Sequence, residues 1–550
     1  MYDENLLQIY ADSFRDNWDL PAVSDYTSGE TLTYGRLAER IARTHLFLRD
    51  CGVKQGDKIA LLGKNPISWV VSYMATVTYG AVIVPILQDF NVQDAQHIIN
   101  HSDSVMLFVS DSIWENIEFE KLHRVKVAMS LDNAKVLAEH PDNSGRAIRA
   151  IGRLRKEFAR QHPEGFSPTE IDYPIMAPDI NYTSGTTGFS KGVMLTHSNL
   201  VGNVVFGMRS KLHYRESRCL SFLPLAHAYG CAFDMLVPLA VGTHITLFGK
   251  LPSPKALLKA MSEVRPNLIL CVPLILEKIY RNQILPVISR SSMKRLMALP
   301  LLNRTVYAKI RSRLTEAFGG EFEEVIAGGA PLNSEVEAFL HRIRFRFTVG
   351  YGMTECGPLI SYTPWQTFIP GSSGRILPVM EVKVTSDRPE DIPGEICVRG
   401  QNVMKGYYKN PEATEAVLDS DGWLHTGDMG TVSPDGTIFI KGRYKTMILS
   451  ANGQNIYPEE IEAKLNNMPF VAESLVVERG KRLIALVYPD YEAMDRRGVT
   501  SAMLPEIMAK VTEKLNRLVA PYERIDRIQL IANEFEKTPK RSIKRYLYNA

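Results

Sequence analysis

The chain has 550 residues, 45% of them hydrophobic and 23% charged, which predicts two or three globular domains with large cores. Its net charge of +3 is too small to indicate a nucleic-acid-binding protein. The six cysteines are scattered and form no C-x-x-C pair, which argues against zinc or disulfide frameworks and favours a reduced, cytoplasmic protein. The amino-terminal segment lacks the basic and apolar regions of a signal peptide.

The first 110 residues alternate helical and strand patterns. A helix is predicted to begin at Thr33, and apolar runs at 58–62 and 105–109 are typical of buried strands. Residues 65–88 carry no charge over a bilayer-spanning length, but their prolines and Gly80 favour a helix over 66–79 and a strand over 81–87. Short buried strands separated by helices predict a parallel sheet covered on both faces.

The segment 182–193, YTSGTTGFSKGV, combines hydroxyl side chains, three glycines and one lysine after a strand predicted at 175–181. Glycines allow positive φ, and backbone N–H groups, hydroxyls and Lys191 are all donors, which phosphate oxygens need. The spacing differs from that of a P-loop. We predict a polyphosphate-binding loop with these members: Thr183, Ser184, Gly185, Thr186, Thr187, Gly188 and Lys191.

Further polar residues follow predicted strands. His227 lies just past a strand predicted to end at Pro224, and parallel sheets bind ligands at that end. The strand–turn segments 324–332 and 347–355 place glycines and polar groups similarly. From them we expect adenine stacking, a phosphate contact and a Mg²⁺ ligand, since this hard ion prefers oxygen donors. The residues concerned are Gly329, Ala330, Pro331, Tyr351 (adenine), Gly352, Thr354 (phosphate) and Glu355 (metal).

The pattern changes beyond Gly374. Short alternating segments predict antiparallel strands of a small barrel. Within this region Asp428 follows a glycine turn, and an ionised carboxylate can accept hydrogen bonds from both ribose hydroxyls. The remaining residues alternate β and α patterns, which predicts a further compact domain.

Together these segments resemble the ordered motifs of the adenylate-forming superfamily, which includes acyl-CoA synthetases, luciferases and adenylation domains of peptide synthetases. The run VPLILEKIY at 272–280 looks most similar to long-chain fatty acid–CoA ligases. The resemblance covers about residues 25–548 and departs slightly at Ser190, where the family usually has proline. It implies an α/β fold with two domains. Residues 1–442 would form two parallel-type sheets with helices plus a small β-barrel, and residues 443–550 a small, mobile α+β domain.

The resemblance also implies roles for single residues. His227 would line the carboxylate site, and Arg443 would meet the ribose or the α-phosphate. Lys445 would be the hinge on which the C-terminal domain turns, and Gly453 would open the path for the CoA thiol. A grip of Asp234 on an α-amino group, as in peptide-synthetase domains, is disfavoured because Asp234 falls one or two turns too late.

One departure concerns the catalytic lysine of the family. Aligned on 538–539 and 543–545, this position holds Ser542, which cannot neutralise charge on the α-phosphate. We expect a neighbour, Lys540, Arg541 or Lys544, to supply that charge. The predicted catalytic set is Lys191, His227, Thr354, Glu355 and Lys544.

The resemblance implies activation of a long-chain fatty acid by ATP and Mg²⁺ to an acyl-adenylate, with pyrophosphate release and transfer to CoA. An aryl acid–CoA ligase, an acyl–carrier-protein synthetase and a catalytically weak nucleotide-binding regulatory protein stay open as alternatives. The basic segments 146–162 and 281–313 are either solvated faces, which is favoured, or contacts for anionic lipid. The expected location is therefore the cytoplasm, with or without peripheral membrane contact, and no oligomeric state is predicted.

Overall fold

The computed structural model of the protein describes residues 1–173, 179–183, 191–249, 253–449, 454–480, 482–538 and 543–548. Two mainly parallel sheets dominate it, which confirms the predicted α/β fold, and one edge strand of each sheet is antiparallel. The larger sheet has the strand order Phe347–Val349, Glu324–Ala327, Leu268–Cys271, Arg218–Ser221, His244–Leu247, Pro21–Asp25 and Thr31–Thr33. The smaller has the order Val82–Ile86, Lys58–Leu62, Ser104–Val109, Val127–Ser130 and Val136–Glu139.

Helices connect these strands and bury their apolar sides against the core. The predicted helix before Gly80 ends at this residue, because Gly80 takes φ 87° and forms a left-handed C-cap. The helices up to residue 415 are Leu6–Asp16, Tyr34–Asp50, Ile67–Tyr79, Val92–His101, Asp111–Trp114, Arg146–Gln161, His197–Arg209, Ala228–Cys231, Val237–Val241, Pro254–Val264, Pro273–Ile279, Leu285–Ile288, Ser291–Ala298, Pro300–Ala317, Ser334–Arg342 and Pro411–Glu415. Two π-helical turns, Ala232–Leu236 and Tyr280–Ile284, interrupt them.

Short antiparallel sheets follow, as predicted for the region beyond Gly374. Four strands pair in the order Met380–Val384, Gly394–Gly400, Leu424–Val432 and Ile438–Arg443. There are also two three-stranded sheets. The first has the strand order Tyr351–Gly352, Leu359–Tyr362 and Arg375–Ile376. The second has the strand order Gly406–Tyr407, Lys191–Leu195 and Asp179–Thr183. The second of these joins the predicted phosphate loop to a segment more than two hundred residues later in the chain.

The C-terminal part has its own hydrophobic contacts. One core cluster runs from Leu6 to Ile438, and a second runs from Ile456 to Ile525. This separation supports a domain boundary near 442/443, which stays a prediction. The elements here are the strands Ile448–Leu449, Asn455–Ile456, Val471–Arg479, Arg482–Pro489 and Arg527–Leu530, and the helices Pro458–Leu465, Tyr491–Arg497 and Leu504–Asn516.

The basic helix Arg146–Gln161 lies on the protein with its apolar side inward. Phe158 is buried, and the Arg43 guanidinium lies 4.9 Å from its ring centroid. Within this helix Ala147 and Ala150 are buried, whereas Ile148 is 61% exposed. Among the described helices, none has the length and apolar character needed to cross a membrane.

Candidate nucleotide and acyl-transfer site

The lysine of the predicted phosphate loop begins a strand. Asp179–Thr183 pairs antiparallel with Lys191–Leu195, and Thr183 and Lys191 are register partners. The predicted loop residues Ser184, Gly185, Thr186, Thr187 and Gly188 lie outside the described residues.

Lys191 contacts an aromatic residue, Tyr407, for which the sequence analysis predicted no role in the site. Strand Gly406–Tyr407 pairs with Lys191–Leu195, and the Lys191 ammonium lies 4.7 Å from the centroid of the Tyr407 ring. The Tyr407 hydroxyl donates a hydrogen bond of 2.9 Å to Glu355 Oε1. Burial, with the Glu355 charge second, raises the pKa of Tyr407, so its hydroxyl stays a donor at neutral pH. One ring therefore links the predicted phosphate lysine to the predicted metal ligand.

Glu355 is held by its backbone as well as by its side chain. Its carbonyl accepts from the Met404 N–H at 2.8 Å, and it lies in the short 3₁₀ turn Thr354–Cys356, in which Thr354 is buried. The carboxylate is partly exposed, and Tyr407 engages only Oε1 among the hydrogen bonds described. An oxygen donor in this setting fits a hard cation such as Mg²⁺.

A second cluster surrounds Asp428. The Tyr351 hydroxyl donates to Asp428 Oδ2 at 2.6 Å, and Arg443 Nε lies 2.7 Å from Asp428 Oδ1. Asp428 and Arg443 are register partners on neighbouring strands, and Asp428 is buried whereas Arg443 is exposed. Burial raises the pKa of Asp428, although Arg443 and Tyr351 act in the opposite direction. The structure thus brings the predicted adenine, ribose and phosphate residues together.

The two clusters are neighbours. Three residues of chain separate Tyr351 from Glu355, and the Glu355 charge acts on Asp428. Gly352 between them is exposed, and a Cβ there would overlap the Pro358 carbonyl, so glycine is needed for this close approach.

The glycine turn after strand Glu324–Ala327 lies beside the strand that leads to Tyr351, because Glu324–Ala327 pairs parallel with Phe347–Val349. Gly329 has φ 84°, and it forms an exposed turn with the next two predicted nucleotide residues, Ala330 and Pro331. At Gly328, a Cβ would lie 3.1 Å from the Tyr229 ring, whose hydroxyl donates to the Ile326 carbonyl at 3.0 Å. The missing side chain therefore makes room for Tyr229.

His227 caps the helix Ala228–Cys231, and its Nδ1 accepts from the Tyr229 N–H at 3.2 Å. The strand before it ends at Ser221, three residues earlier than predicted. Asn65 holds the connecting turn, because its amide donates to the Leu223 carbonyl at 2.8 Å and its Oδ1 accepts from Leu225 N–H at 3.2 Å. Asn65 follows a strand of the other parallel sheet, so it couples the two sheets next to His227.

Asp234 lies in the π-helical turn Ala232–Leu236 and is 1% exposed. Its carboxyl lies against Cys219, with 3.5 Å between Sγ and Oδ1, and burial raises its pKa to about 8. This enclosed position adds to the register argument against a role in binding an α-amino group.

The predicted hinge residue lies two positions after Arg443, and the predicted tail residues lie in the C-terminal segment. Lys445 is exposed in the turn Tyr444–Thr446. Lys544 Nζ lies 3.5 Å from Glu536 Oε2, so its described partner belongs to the C-terminal segment. Three predicted positions of this part lie outside the described residues: Gly453, Lys540 and Arg541, together with the departure at Ser542.

Contacts join the C-terminal part to the rest of the chain in this arrangement. Lys441 Nζ lies 3.4 Å from Glu460 Oε1, and Arg281 from the basic segment donates to the Asn466 carbonyl at 2.5 Å. Asn333 Nδ2 donates to Asn467 Oδ1 at 2.6 Å.

Comparison with solved structures defines the class of protein. The fold matches the o-succinylbenzoate CoA synthetase MenE of Bacillus subtilis, solved with its acyl-adenylate intermediate OSB-AMP, at a TM-score of 0.74 and 23% identity over 99% of this chain and 98% of that one. The protein therefore has the fold of adenylate-forming enzymes.

The sequence narrows this class to a family. The chain belongs to the AMP-binding enzyme family, whose model matches residues 11–408. It is 32% identical to long chain acyl-CoA synthetase 7, peroxisomal, of Arabidopsis thaliana, over 86% of this chain and 70% of that protein. It is 28% identical to long-chain-fatty-acid–CoA ligase FadD15 of Mycobacterium bovis, over 94% and 90% respectively.

Proposed function

We propose that the protein is an AMP-forming acid–thiol ligase that converts a long-chain fatty acid to its CoA thioester. The observation that carries this proposal is the adjacency of two clusters, Tyr351–Asp428–Arg443 and Lys191–Tyr407–Glu355. The first offers acceptors for sugar hydroxyls, and the second a cation beside a ligand for a hard metal. The similarity to relatives named as long-chain ligases and synthetases, which extends over most of their length, supports a long-chain fatty acid as the substrate.

Asp428 is the ribose ligand in this proposal. Each carboxylate oxygen has about two acceptor sites, and Tyr351 and Arg443 each occupy one. Both oxygens therefore keep acceptor capacity for the two ribose hydroxyls without losing their present partners. Tyr351 is fixed through its hydroxyl, which holds the ring for stacking on adenine, and the exposed turn Gly329, Ala330, Pro331 borders the base.

Lys191 and Glu355 act on the phosphates. The Lys191 ammonium offsets charge on the β- and γ-phosphates, and Thr354, with the hydroxyls of the loop 183–188, donates to phosphate oxygens. Glu355 would hold Mg²⁺, which when bound shields charge on the phosphate oxygens. Tyr407 positions both side chains, since its ring lies under Lys191 and its hydroxyl fixes Glu355.

The acid reacts at the α-phosphorus. A carboxylate oxygen forms the new P–O bond while the bond to pyrophosphate breaks, which turns a poor electrophile into an acyl-adenylate. His227 lines the carboxylate site; Asn65 holds the turn that precedes it, and His227 itself caps the helix that follows. In the second step the CoA thiol loses its proton, its sulfur attacks the acyl carbon, and AMP leaves.

The C-terminal segment supplies the charge missing at Ser542. Lys544 is paired with Glu536 in the described arrangement, so a rotation about Lys445 has to bring Lys544 or a neighbour to the α-phosphate. Gly453 then borders the path of the thiol. The ion pair between Lys441 and Glu460, which lie on opposite sides of Lys445, would break in that rotation.

The test is pyrophosphate release from ATP and Mg²⁺ with a panel of short, long-chain and aryl acids, with and without CoA. We expect release only with acid, fastest with long-chain acids, and thioester only when CoA is present. No release with any acid would contradict ligase activity and favour a regulatory nucleotide-binding protein. Release with acid but no thioester would indicate another acceptor, such as a carrier protein.

A matched pair of variants tests the site. Lys191→Ala should slow pyrophosphate release strongly. Lys409→Ala should not, because the Lys409 ammonium pairs with Asp103 at 2.7 Å, away from both clusters. Equal rates for the two variants would contradict the phosphate role of Lys191.

An aryl acid is the second candidate substrate class. The structural match to an o-succinylbenzoate CoA synthetase favours it, and the Tyr229 ring beside Gly328 gives the surroundings of His227 an aromatic wall. Faster pyrophosphate release with aryl than with long-chain acids would select this alternative.

A further inference from the structure

A group of metal-ligating side chains lies outside the proposed ATP site. Glu395 and Cys397 lie on the strand Gly394–Gly400, and His425 lies on the neighbouring strand Leu424–Val432. Cys397 and His425 are direct register partners, so their side chains share one face of the antiparallel sheet. One donor atom from each of the three residues lies within 4.8 Å of the other two.

The distances suit a tetrahedral ion with sulfur and nitrogen ligands. Zinc–sulfur bonds of about 2.3 Å and zinc–nitrogen bonds of about 2.05 Å place tetrahedral S and N ligands about 3.6 Å apart. Cys397 Sγ and His425 Nδ1 are 3.5 Å apart. Glu395 Oε2 lies 2.8 Å from the same nitrogen, against about 3.4 Å for tetrahedral ligands. Glu395 is only partly buried, so its side chain can open by this amount.

The charges and the outer contacts also favour a cation. Asp419 Oδ2 lies 4.0 Å from His425 Nε2, on the side of the ring away from Cys397, where a carboxylate orients a ligating histidine. Lys383, the register partner of Cys397 on the opposite neighbouring strand, would repel a cation. Its ammonium is engaged with an aromatic ring, however, since it lies 4.2 Å from the centroid of Trp423. The carboxylates of Glu395 and Asp419 outnumber this single ammonium.

We propose that Glu395, Cys397 and His425 form a binding site for a borderline-soft divalent cation of the zinc class. A thiolate, a carboxylate and a neutral imidazole together balance the charge of the ion, and water completes a four-coordinate site. The Cys397 thiol loses its proton to solvent when the ion binds, and His425 binds through Nδ1 as the neutral tautomer that carries its proton on Nε2. The bound ion ties two strands together three residues before Asp428. Glu395 Oε1 already accepts from the Gly427 N–H at 3.1 Å, so the ion fixes the irregular strand register directly before the proposed ribose ligand Asp428.

The test uses Co²⁺ as the probe on the full-length chain, without nucleotide. We expect one equivalent to bind with a thiolate-to-cobalt charge-transfer absorption, and Zn²⁺ to displace it. Cys397→Ser should abolish this absorption and weaken Co²⁺ binding by about tenfold or more. An oxygen-only site such as that around Glu355 cannot give a thiolate signal, so the result does not depend on the proposed ligase activity.

Cys51→Ser is the matched control, because Cys51 is also a buried free cysteine but belongs to another part of the fold. It should bind Co²⁺ as the unchanged protein does. If Cys397→Ser does not fold by circular dichroism, His425→Gln replaces it and should bind at least about tenfold more weakly. The proposal is overturned if the unchanged protein shows no thiolate signal, if Cys51→Ser loses it equally, or if His425→Gln retains full affinity.

Discussion

Replacing Tyr407 by phenylalanine removes one hydroxyl from the link between Lys191 and Glu355. The ring stays, so its contact with the Lys191 ammonium at 4.7 Å is kept, and only the 2.9 Å hydrogen bond to Glu355 is lost. Hydrogen bonds to charged groups contribute about 1.5–3 kcal/mol. Since Glu355 is partly exposed, the lower figure of about 1.5 kcal/mol applies, and this corresponds to about tenfold in rate if Glu355 acts in the adenylation step.

The assay is the initial rate of pyrophosphate release with a saturating acid, measured across a range of Mg²⁺ concentrations. We expect Tyr407→Phe to be about tenfold slower than the unchanged protein at low Mg²⁺. Tyr407→Leu should be about two- to fivefold slower again, because it also removes the cation–π contact.

Tyr408→Phe is the control for this prediction, since the Tyr408 hydroxyl donates to Asp103 at 3.0 Å and not to Glu355. Its rate should match that of the unchanged protein. An unchanged rate for Tyr407→Phe, or an equal fall for Tyr408→Phe, would refute the proposed role of the Tyr407 hydroxyl.

Three further predictions concern stability. Burial raises the pKa of Asp234 to about 8 in the folded protein, against about 4 in the unfolded chain. The folded protein therefore keeps a proton on this carboxyl between these values, and the stability of the fold decreases as pH rises from about 4 to 8. In chemical denaturation, the free energy of unfolding of Asp234→Asn should rise relative to that of the unchanged protein as pH increases from about 4 to 8. A difference between the two proteins that does not change with pH would contradict a buried, protonated Asp234. Gly352→Ala should lower the unfolding free energy by about 1–3 kcal/mol, whereas Gly350→Ala, whose Cβ would meet nothing closer than 3.7 Å, should cost less. Arg545→Met should destabilise the C-terminal part by about 3 kcal/mol because it leaves Glu462 buried without its ion pair, and adding Glu462→Gln should restore most of this in hydrogen-exchange measurements.

The sequence predicted helices and strands correctly where nearby residues alone determine their ends. The helix Ile67–Tyr79 was predictable because Gly80 ends it in a conformation that glycine adopts at little cost. The burial of the helix Arg146–Gln161 was predictable only in part, since Ile148 faces solvent while two small alanines face the core. The choice between Ile148 and the alanines depends on what packs against the helix, and the sequence does not show this.

The residues that sequence reasoning missed depend on distant pairing. Tyr407 meets Lys191 only because strands more than two hundred residues apart in the chain pair side by side. Asn65 bonds to a turn that belongs to the other parallel sheet. A polar residue three positions after a buried strand was the available signal for Asn65, while Tyr407 gave none beyond an aromatic pair after a glycine.

The pairing of Asp428 with Arg443 has a consequence for any rotation that begins at Lys445. Both partners lie on strands of one sheet that ends before that residue, so the Asp428–Arg443 contact stays still while the chain beyond it turns. A nucleotide held there would keep its ribose bound through both half-reactions, and only the residues that face its phosphate would change. Release of AMP would then require separation from Asp428 itself, so the anchoring that retains the acyl-adenylate would also limit how fast the product departs.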